Sequence, residues 1–310
     1  MKISIIGAAG SVGAPAAFYL GARGLADEIV MIGGKKQNVL KQHAMDIGTA
    51  LSALDVTVRA GDYGDMVGSD IVINAAGAPQ GVIADRMEML PKNISLIEYI
   101  AGQIRRYCPD AFIITATNPV DPLNYACFLA GGFDRHRLIG YSINDSFRFK
   151  EMVARTKKVK VSRVDGMVIG EHGSSQVLLF SSVCVDGQRV SFTEEEKNDI
   201  RSEVPNILKR YEELQAGRTA GWTCAIGLEI ITRAVIENQQ IVIPCSVVLD
   251  GEYGLHNISM SIPAVLGRQG VETIVELPLT GDEQAGLEKT VATLRPAMSI
   301  VEKSLKIAAK

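Results

Sequence analysis

The sequence has few aromatic residues, few histidines and little excess charge of either sign. Aromatic residues make up 5% of its 310 residues, there are four histidines, and the formal net charge is −3. A charge balance this close to neutral gives little attraction for a phosphate backbone, so we expect no nucleic-acid partner. The chain also has no run of 18 apolar residues, and we therefore expect no membrane-spanning helix.

Cysteine is also scarce, and its spacing matches neither a metal motif nor a redox motif. The five cysteines are an odd number, and no two of them form a C-x-x-C pair. Because an H-E-x-x-H motif is absent too, we expect no metal site, and we expect reduced thiols in a cytoplasmic protein. A strand-like KISII begins at residue 2, so we expect no signal peptide.

Four short apolar segments in the first half have the composition of buried strands. They are KISIIG (2–7), EIVMIG (28–33), DIVINAAG (70–77) and AFIITATNP (111–119). Helical patterns lie between them, for example over residues 94–107. Continuous apolar strands that alternate with helices predict a parallel sheet covered on both faces.

The pattern changes after about residue 145. Helical segments there alternate with antiparallel strand signals, and a long helix is predicted over residues 282–308. We therefore predict an α/β fold with a doubly wound parallel sheet in residues 1–143, followed by an α+β substrate domain in residues 144–310. Since no linker rich in Pro, Gly or Ser separates the two parts, we expect them to pack tightly.

A glycine-rich turn follows the first predicted strand and opens a helix. Its glycines are Gly7, Gly10 and Gly13, with Ser11 and Val12 between the last two. Glycine permits the tight turn and a close backbone approach, and the N–H groups of the helix start favour an anion. This arrangement is typical of the Rossmann fold and predicts a site for the pyrophosphate of a dinucleotide.

The end of the second predicted strand lacks the acidic residue that usually binds a ribose in such a site. Twenty residues after Gly13 the chain has Gly33, followed by Gly34, Lys35 and Lys36. A carboxylate at ~4 Å from a 2′-phosphate would cost on the order of 4 kcal/mol at an effective dielectric of ~20. Its absence slightly favours NADP over NAD as cofactor, with Lys35 as a contact. The alternative is that both lysines are only solvated.

His172 is the histidine whose surroundings best suit a ligand site. It follows an apolar strand and lies between Gly170 and Gly173, which permit a close approach. Histidine titrates near neutrality and suits proton exchange with an alcohol. A lone histidine is more often structural, so its partners decide its role.

Eight short segments form a set that is more specific than any single motif. They are GAAGSVG (7–13), AAGAP (75–79), DRMEMLPKN (85–93), TNPVD (117–121), HRLIG (136–140), NDSFRF (144–149), IGEHG (169–173) and DGEYG (250–254). In this order and spacing, the chain resembles the L-lactate/L-malate dehydrogenase family over nearly its whole length. The resemblance implies a 2-keto or 2-hydroxy acid as substrate, NAD(P) as cofactor, and a homodimer or homotetramer.

The resemblance also implies roles for individual residues. His172 resembles the proton donor and acceptor, Asp145 its carboxylate partner, and Arg148 the residue that clamps the substrate carboxylate. Arg86 resembles a mobile-loop arginine that polarises the substrate carbonyl, and Asn118 a residue near both nicotinamide and substrate oxygen. Further cofactor contacts are implied at Ala76, Gly77, Asn93, Thr117 and Asn118.

Each of these polar residues also has a purely structural interpretation. Asp145 precedes a helical stretch and would serve there as an N-cap. Arg148 would be a surface residue on the same helix, and Asn118, which precedes a proline, would be a turn residue.

The loop around Gln80 bears on which acid is the substrate. Counted back from Arg86, Gln80 stands where malate-type members of the family carry arginine and lactate-type members carry glutamine. Burying a second carboxylate without a partner costs roughly 3–5 kcal/mol, so Gln80 favours a monocarboxylic substrate. The alternative is a malate dehydrogenase in which Arg218 pairs with the distal carboxylate.

Two further residues carry structural expectations. Pro91 should bend or delay the helix that follows the loop, because proline disrupts a helix interior. Trp222 is the only tryptophan, and we expect it in the core or in a subunit contact rather than in the wall of the substrate site.

Two other functions agree less well with the sequence than a dehydrogenase of this family. Short-chain dehydrogenases need a Tyr-x-x-x-Lys pair, and none of the eight tyrosines has a lysine four residues on. A non-catalytic nucleotide sensor would keep the glycine turn but would have no use for His172, Asp145, Arg148 and Arg86 together.

Overall fold

The computed structural model describes residues 1–78, 90–214 and 220–306, apart from six side chains between 205 and 212. Over these ranges the chain forms an α/β fold whose central sheet is covered by helices on both faces. This confirms the predicted fold class.

The first half forms a parallel sheet with the strand order β3-β2-β1-β4-β5-β6. The strands of this half are β1 (Lys2–Ile6), β2 (Glu28–Ile32), β3 (Thr57–Gly61), β4 (Ile71–Asn74), β5 (Phe112–Thr115) and β6 (Leu138–Gly140). Their apolar residues fill the core: Ile3, Ile29, Ile73 and Ile113 are all 0% exposed. The strand order reverses between β1 and β4, and ligands of such sheets bind at that switch point.

Eight α-helices surround the sheet within the described ranges. They are α1 (Gly13–Ala22), α2 (Gln37–Leu51), α3 (Leu90–Tyr107), α4 (Val120–Gly131), α5 (Asn144–Lys157), α6 (Glu194–Glu213), α7 (Gly221–Ile236) and α8 (Gly281–Ser304). Pro91 lies next to residues 79–89, which are outside the described ranges, so its expected effect on the start of α3 stays a prediction.

The second half continues the same sheet instead of forming a separate one. Strands β12 (Ile241–Asp250), β13 (His256–Gly267) and β14 (Gly270–Ile274) are antiparallel, and β12 pairs with β6 through Ser246 and Gly140. Nine of the fourteen described strands thereby form one sheet, and the other five form two small sheets of three and two strands. The predicted strands around residues 160–190 are only two residues long each: β7 (Val164–Asp165), β8 (Val168–Ile169), β9 (Val177–Leu178), β10 (Cys184–Val185) and β11 (Gln188–Arg189).

Helix α7 joins the second half to the glycine turn. A Cβ atom on Gly221, its first residue, would overlap the main-chain oxygen of Ser11. Further along, the buried Glu229 accepts a hydrogen bond from Arg23 of the segment after α1, at 3.3 Å. The turn that follows β1 is therefore held in place by residues from both halves of the chain.

Candidate active site

The glycine turn lies directly against the end of β4. Gly7 has a φ of 82°, and a Cβ there would lie 2.6 Å from the main-chain carbon of Ala75. A Cβ on Gly13 would lie 2.7 Å from the Cα of Ala8. No other residue type fits at either position without a backbone shift, so the turn brings the start of α1 to the switch point of the sheet.

The same turn presents main-chain donors that suit an anion. Within the described part of the chain, no group accepts a hydrogen bond from the N–H of Ser11 or of Val12. Both residues immediately precede α1, where the helix dipole adds partial positive charge. The five predicted residues of this turn, Gly7, Gly10, Ser11, Val12 and Gly13, thus form a cradle that fits a pyrophosphate.

Beyond the end of β2, the predicted ribose-binding segment runs beside this turn. The main-chain oxygen of Ile32 accepts from the N–H of Gly7 at 2.8 Å, which places Gly33 next to the turn. Lys35 is exposed, as expected for a residue available to a phosphate. Sequence reasoning missed Gln37, whose amide donates to the main-chain oxygens of Gly33 and Gly34 and shapes the segment.

Hydrogen bonds connect the ends of β4 and β5 at the centre of the site. The Thr117 hydroxyl donates to the oxygen of Ala76 at 2.7 Å, and Asn93 bridges from the N–H of Ala78 to the oxygen of Asn118. A Cβ on Gly77 would touch the Thr117 methyl at 3.4 Å. One connected patch therefore includes all the residues predicted here, namely Ala76, Gly77, Asn93, Thr117 and Asn118.

A buried carboxylate links the predicted proton donor to the predicted substrate clamp. Asp145 Oδ2 lies 2.6 Å from His172 Nδ1, and Asp145 Oδ1 accepts from Arg148 Nη1 at 3.0 Å. The three side chains are 6–11% exposed. Asp145 lies in the first turn of α5 but does not cap it, because the N-cap residue is Ile143. The interpretation of Arg148 as a surface residue is wrong as well.

The same contact sets the protonation chemistry of the imidazole. Burial lowers the pKa of His172, but the charge of Asp145 and its hydrogen bond outweigh burial and raise the pKa above its ordinary value. Because an ionised carboxylate only accepts hydrogen bonds, the Nδ1 proton faces Asp145. In the described ranges, Nε2 has no hydrogen-bond partner and is left for a substrate.

Arg148 and Asn118 keep polar groups for a ligand. Among the described residues, Nη1 is the one guanidinium nitrogen of Arg148 that has a hydrogen-bond partner. The side-chain amide of Asn118 has none within the same ranges. The remaining planar N–H donors of Arg148, next to the imidazole, suit a carboxylate beside a reacting carbonyl or hydroxyl.

Sequence reasoning missed Asp121, which contacts the loop that carries His172. Its Oδ2 accepts from the main-chain N–H of His172 at 2.7 Å, and its Oδ1 accepts from the hydroxyl of Ser246 at 2.6 Å. Burial raises the pKa of Asp121 to about 7, against the opposing effect of these two hydrogen bonds. The available indication was TNPVD (117–121), which ends in this acidic residue.

Some of the predicted residues lie outside the described ranges. They are Gln80, Arg86 and Arg218, and their predicted roles therefore stay predictions. Trp222 is described and is 77% exposed, so of its two expected places it does not take the core, and the subunit contact stays a prediction. Over the same ranges, no cluster of three metal-ligating side chains occurs and no helix is both long and apolar enough to cross a membrane.

Comparisons with known proteins match nearly the whole chain. Residues 1–140 match the model described as lactate/malate dehydrogenase, NAD binding domain, and residues 144–305 match its alpha/beta C-terminal domain. A malate dehydrogenase from Halobacterium salinarum is 35% identical over 94% of this chain and 97% of its own. L-lactate dehydrogenase 1 from Staphylococcus aureus is 32% identical over 97% of both.

A solved structure agrees in fold. The lactate dehydrogenase from Cryptosporidium parvum, complexed with lactic acid and nicotinamide adenine dinucleotide, superposes with a TM-score of 0.89 at 29% identity. The match covers 99% of this chain and 98% of that one. The similarity therefore extends over both halves of the fold.

The contact between His172 and Asp145 predicts how the imidazole titrates. Asp145→Asn removes the charge and leaves the cost of burial, so the pKa of His172 should fall below about 6.5. The His172 contribution to stability is fully present below the unfolded pKa of about 6.5 and is lost as pH rises through the raised folded pKa. NMR titration of the histidine Cε1–H groups, assigned with His172→Ala, measures the shift.

Asp250→Asn is the matched control for this titration. It removes the charge from the exposed contact of 2.9 Å between His256 and Asp250 and should leave the His172 titration unchanged. A His172 pKa that does not move in Asp145→Asn would contradict the assigned pairing.

Proposed function

Because this chain belongs to the lactate/malate dehydrogenase family, we propose that it interconverts a small L-2-hydroxy acid and the corresponding 2-keto acid. It is an oxidoreductase of this family and binds NAD(H). The observation that carries the proposal is the buried contact of 2.6 Å between His172 Nδ1 and Asp145 Oδ2. This contact leaves Nε2 as a proton donor and acceptor.

We propose a division of labour along the chain. Residues 1–143 hold the dinucleotide through the glycine turn and the patch at Thr117, and residues 144–310 supply most of the substrate chemistry. The nicotinamide, when bound, supplies or accepts the hydride. The residues of the chain itself bind and orient the acid and exchange the proton.

Proton exchange is proposed to run through His172. During reduction, negative charge grows on the substrate oxygen, and the imidazolium donates its Nε2 proton to it. Asp145 keeps the ring in one tautomer and stabilises the charged form. The raised pKa of His172 makes this form available near neutral pH.

Substrate orientation is proposed to depend on arginine. Arg148 binds the carboxylate of the acid through two parallel N–H donors, while its Nη1 contact with Asp145 fixes the guanidinium plane. Arg86, which lies outside the described residues, is proposed to polarise the carbonyl as its loop closes. Asn118, which belongs to residues 1–143, is proposed to donate from its side-chain amide to the substrate oxygen.

For the substrate we propose a monocarboxylic 2-keto acid such as pyruvate. The support is Gln80, a neutral residue at the position where a second carboxylate would need a cation. Malate is the second candidate, because relatives named malate dehydrogenase and L-lactate dehydrogenase are about equally similar to this chain. In that case Arg218 would pair with the distal carboxylate.

For the cofactor we propose a slight preference for NADP(H). The segment from Gly33 to Lys36 has no carboxylate to repel a 2′-phosphate, and both of its lysines are exposed. Lys35 is the proposed phosphate contact. Gln37 holds the two glycines in a conformation that leaves their surface open.

We also propose that the protein is a homodimer or a homotetramer and that it lies in the cytoplasm. Trp222 and Ile226 are 77% and 40% exposed, and their spacing of four residues puts them on one face of α7. A second copy would cover this apolar face.

The five free cysteines suit a reducing compartment such as the cytoplasm. Subcellular fractionation tests this location.

Substrate choice is tested by steady-state oxidation of NADH and NADPH with pyruvate and oxaloacetate. The wild type should prefer pyruvate, and Gln80→Arg should raise the ratio of kcat/KM for oxaloacetate over pyruvate by about 10²–10³, since a cation then meets the distal carboxylate. Gln80→Glu is the control and should lower oxaloacetate turnover.

Two outcomes of that assay contradict the monocarboxylic proposal. An unchanged ratio in both Gln80 variants would mean that residue 80 does not meet the substrate. A wild type that already prefers oxaloacetate, and loses this preference in Arg218→Ala, would establish the malate alternative.

Cofactor choice is tested by Gly33→Asp. The new carboxylate should repel the 2′-phosphate and lower kcat/KM with NADPH relative to NADH at least about ten-fold. Gly33→Ala is the matched control, because any Cβ at this position lies 3.1 Å from Leu40 Cδ2. If Asp and Ala change the ratio equally, the segment does not contact the ribose.

Assembly is tested by sedimentation of Trp222→Glu. The charge should weaken association through the face of α7 and shift the protein toward the monomer. Leu54→Glu is the control, because Leu54 is also exposed, at 54%, but lies far along the chain from α7. A wild type that sediments as a monomer would exclude the proposed oligomer.

A further inference from the structure

Asp121 occupies an unusual position for a carboxylate. It is 1% exposed and lies in the first turn of α4, where the helix dipole favours a negative group. Both of its oxygens are used: Oδ2 by the main-chain N–H of His172 at 2.7 Å and Oδ1 by the hydroxyl of Ser246 at 2.6 Å. These two contacts connect three separate elements of the fold.

Ion pairing does not account for this buried group. Across the described residues, no lysine or arginine forms a salt bridge with Asp121. An apolar residue of similar size would avoid the cost of burying an ionisable group, but it would leave the N–H of His172 and the hydroxyl of Ser246 without this acceptor. The carboxylate is therefore explained by the two donors that it joins.

Asp121 is one of three tethers on the loop that carries His172. Before the histidine, Gly170 pairs with the main chain of Ser261 in both directions, at 2.7 and 2.8 Å. Across the histidine, the side chain of Glu171, which precedes it, accepts from the N–H and the hydroxyl of Ser175, which follows it. The Asp121 contact is the only one of the three made to the main chain of His172 itself.

We propose that Asp121 is a positioning residue for the reaction. By accepting from the main-chain N–H of His172, it fixes the backbone from which the imidazole reaches Asp145 and the substrate. This inference rests on the proposed role of His172 in proton exchange. Ser246 orients the carboxylate from β12, at the place where the two halves of the sheet meet.

The tether is compatible with either protonation state of Asp121. Burial raises the pKa of this group to about 7. In the protonated form, Oδ2 still accepts from His172, and a proton on Oδ1 can be donated to Ser246. The Ser246 hydroxyl can then turn to the Ser259 hydroxyl, 3.0 Å away. Asparagine reproduces this arrangement of acceptor and donor without the charge.

A comparison of alanine and asparagine at position 121 therefore separates position from charge. Asp121→Ala removes the acceptor and should lower kcat for keto-acid reduction by ten-fold or more, while KM for the acid and Kd for NADH stay within about three-fold. Asp121→Asn should restore kcat to within three-fold of the wild type. If Asp121 served only the stability of the fold, Asp121→Ala would not lower kcat selectively at unchanged KM, and Asp121→Asn would not restore kcat.

The pH profile gives a second readout. Among the described residues, the charged groups that act on His172 are Asp145 and Arg148 on α5 and Asp121 on α4, and Glu171, next to His172, acts on Asp121. Loss of the Asp121 charge should move the His172 limb of the kcat profile of Asp121→Asn to lower pH, with the plateau kcat retained.

Asn124→Ala is the matched control. Asn124 lies one turn further along α4, is 0% exposed, and donates to the oxygen of Ser246 and the hydroxyl of Ser259. It does not touch the His172 loop. This variant should lower the thermal midpoint and keep kcat within three-fold of the wild type.

A loss of less than ten-fold in Asp121→Ala, or a loss in Asp121→Asn as large as in Asp121→Ala, excludes positioning through the N–H. If Asp121→Ala does not bind NADH, Asp121→Leu takes its place. If neither folds while Asn124→Ala does, Asp121 serves stability and the proposal fails.

His172→Ala separates this proposal from the proposed function. A wild type with no turnover, or an active His172→Ala, would reject the function itself. An active wild type, an inactive His172→Ala and a normal Asp121→Ala would reject only the role of Asp121.

Discussion

Asp145 accepts hydrogen bonds from His172 and Arg148 at once, at a place where its side chain is 6% exposed. A lone carboxylate would be costly there, and a lone imidazole would remain uncharged. Together they hold an imidazole and a guanidinium side by side with little freedom to move. The spacing of Asp145 and Arg148, three residues apart on α5, makes this possible, because both side chains point to the same side of the helix.

The continuous sheet gives this trio its relation to the dinucleotide site. Gly7, the patch at Thr117 and Asp121 lie at the carboxyl ends of neighbouring parallel strands or directly after them. The antiparallel strands of the second half extend that sheet through Ser246 and Gly140 and hold the His172 loop through Ser261. The rigid sheet, more than any single loop, sets the distance between the two parts of the site.

Local patterns in the sequence predicted the elements well, and contacts between distant residues escaped prediction. The strands from Lys2, Glu28, Ile71 and Phe112 were found because continuous apolar residues distinguish buried parallel strands from their surroundings. His172, Asp145 and Arg148 were assigned from segments that resemble a family. The contact of Asp121 with His172 spans 51 residues, and no local period reports such a pair. Exposure also depends on the tertiary structure, which is why Arg148, a surface residue by its local pattern alone, is buried.

The close approach of Gly221 to the Ser11 oxygen makes the first residue of α7 and the glycine turn depend on each other. A side chain at 221 would displace the turn, so substitutions on α7 are tolerated only beyond its first residue. A single missing Cβ in the second half of the chain thereby protects the geometry of the first.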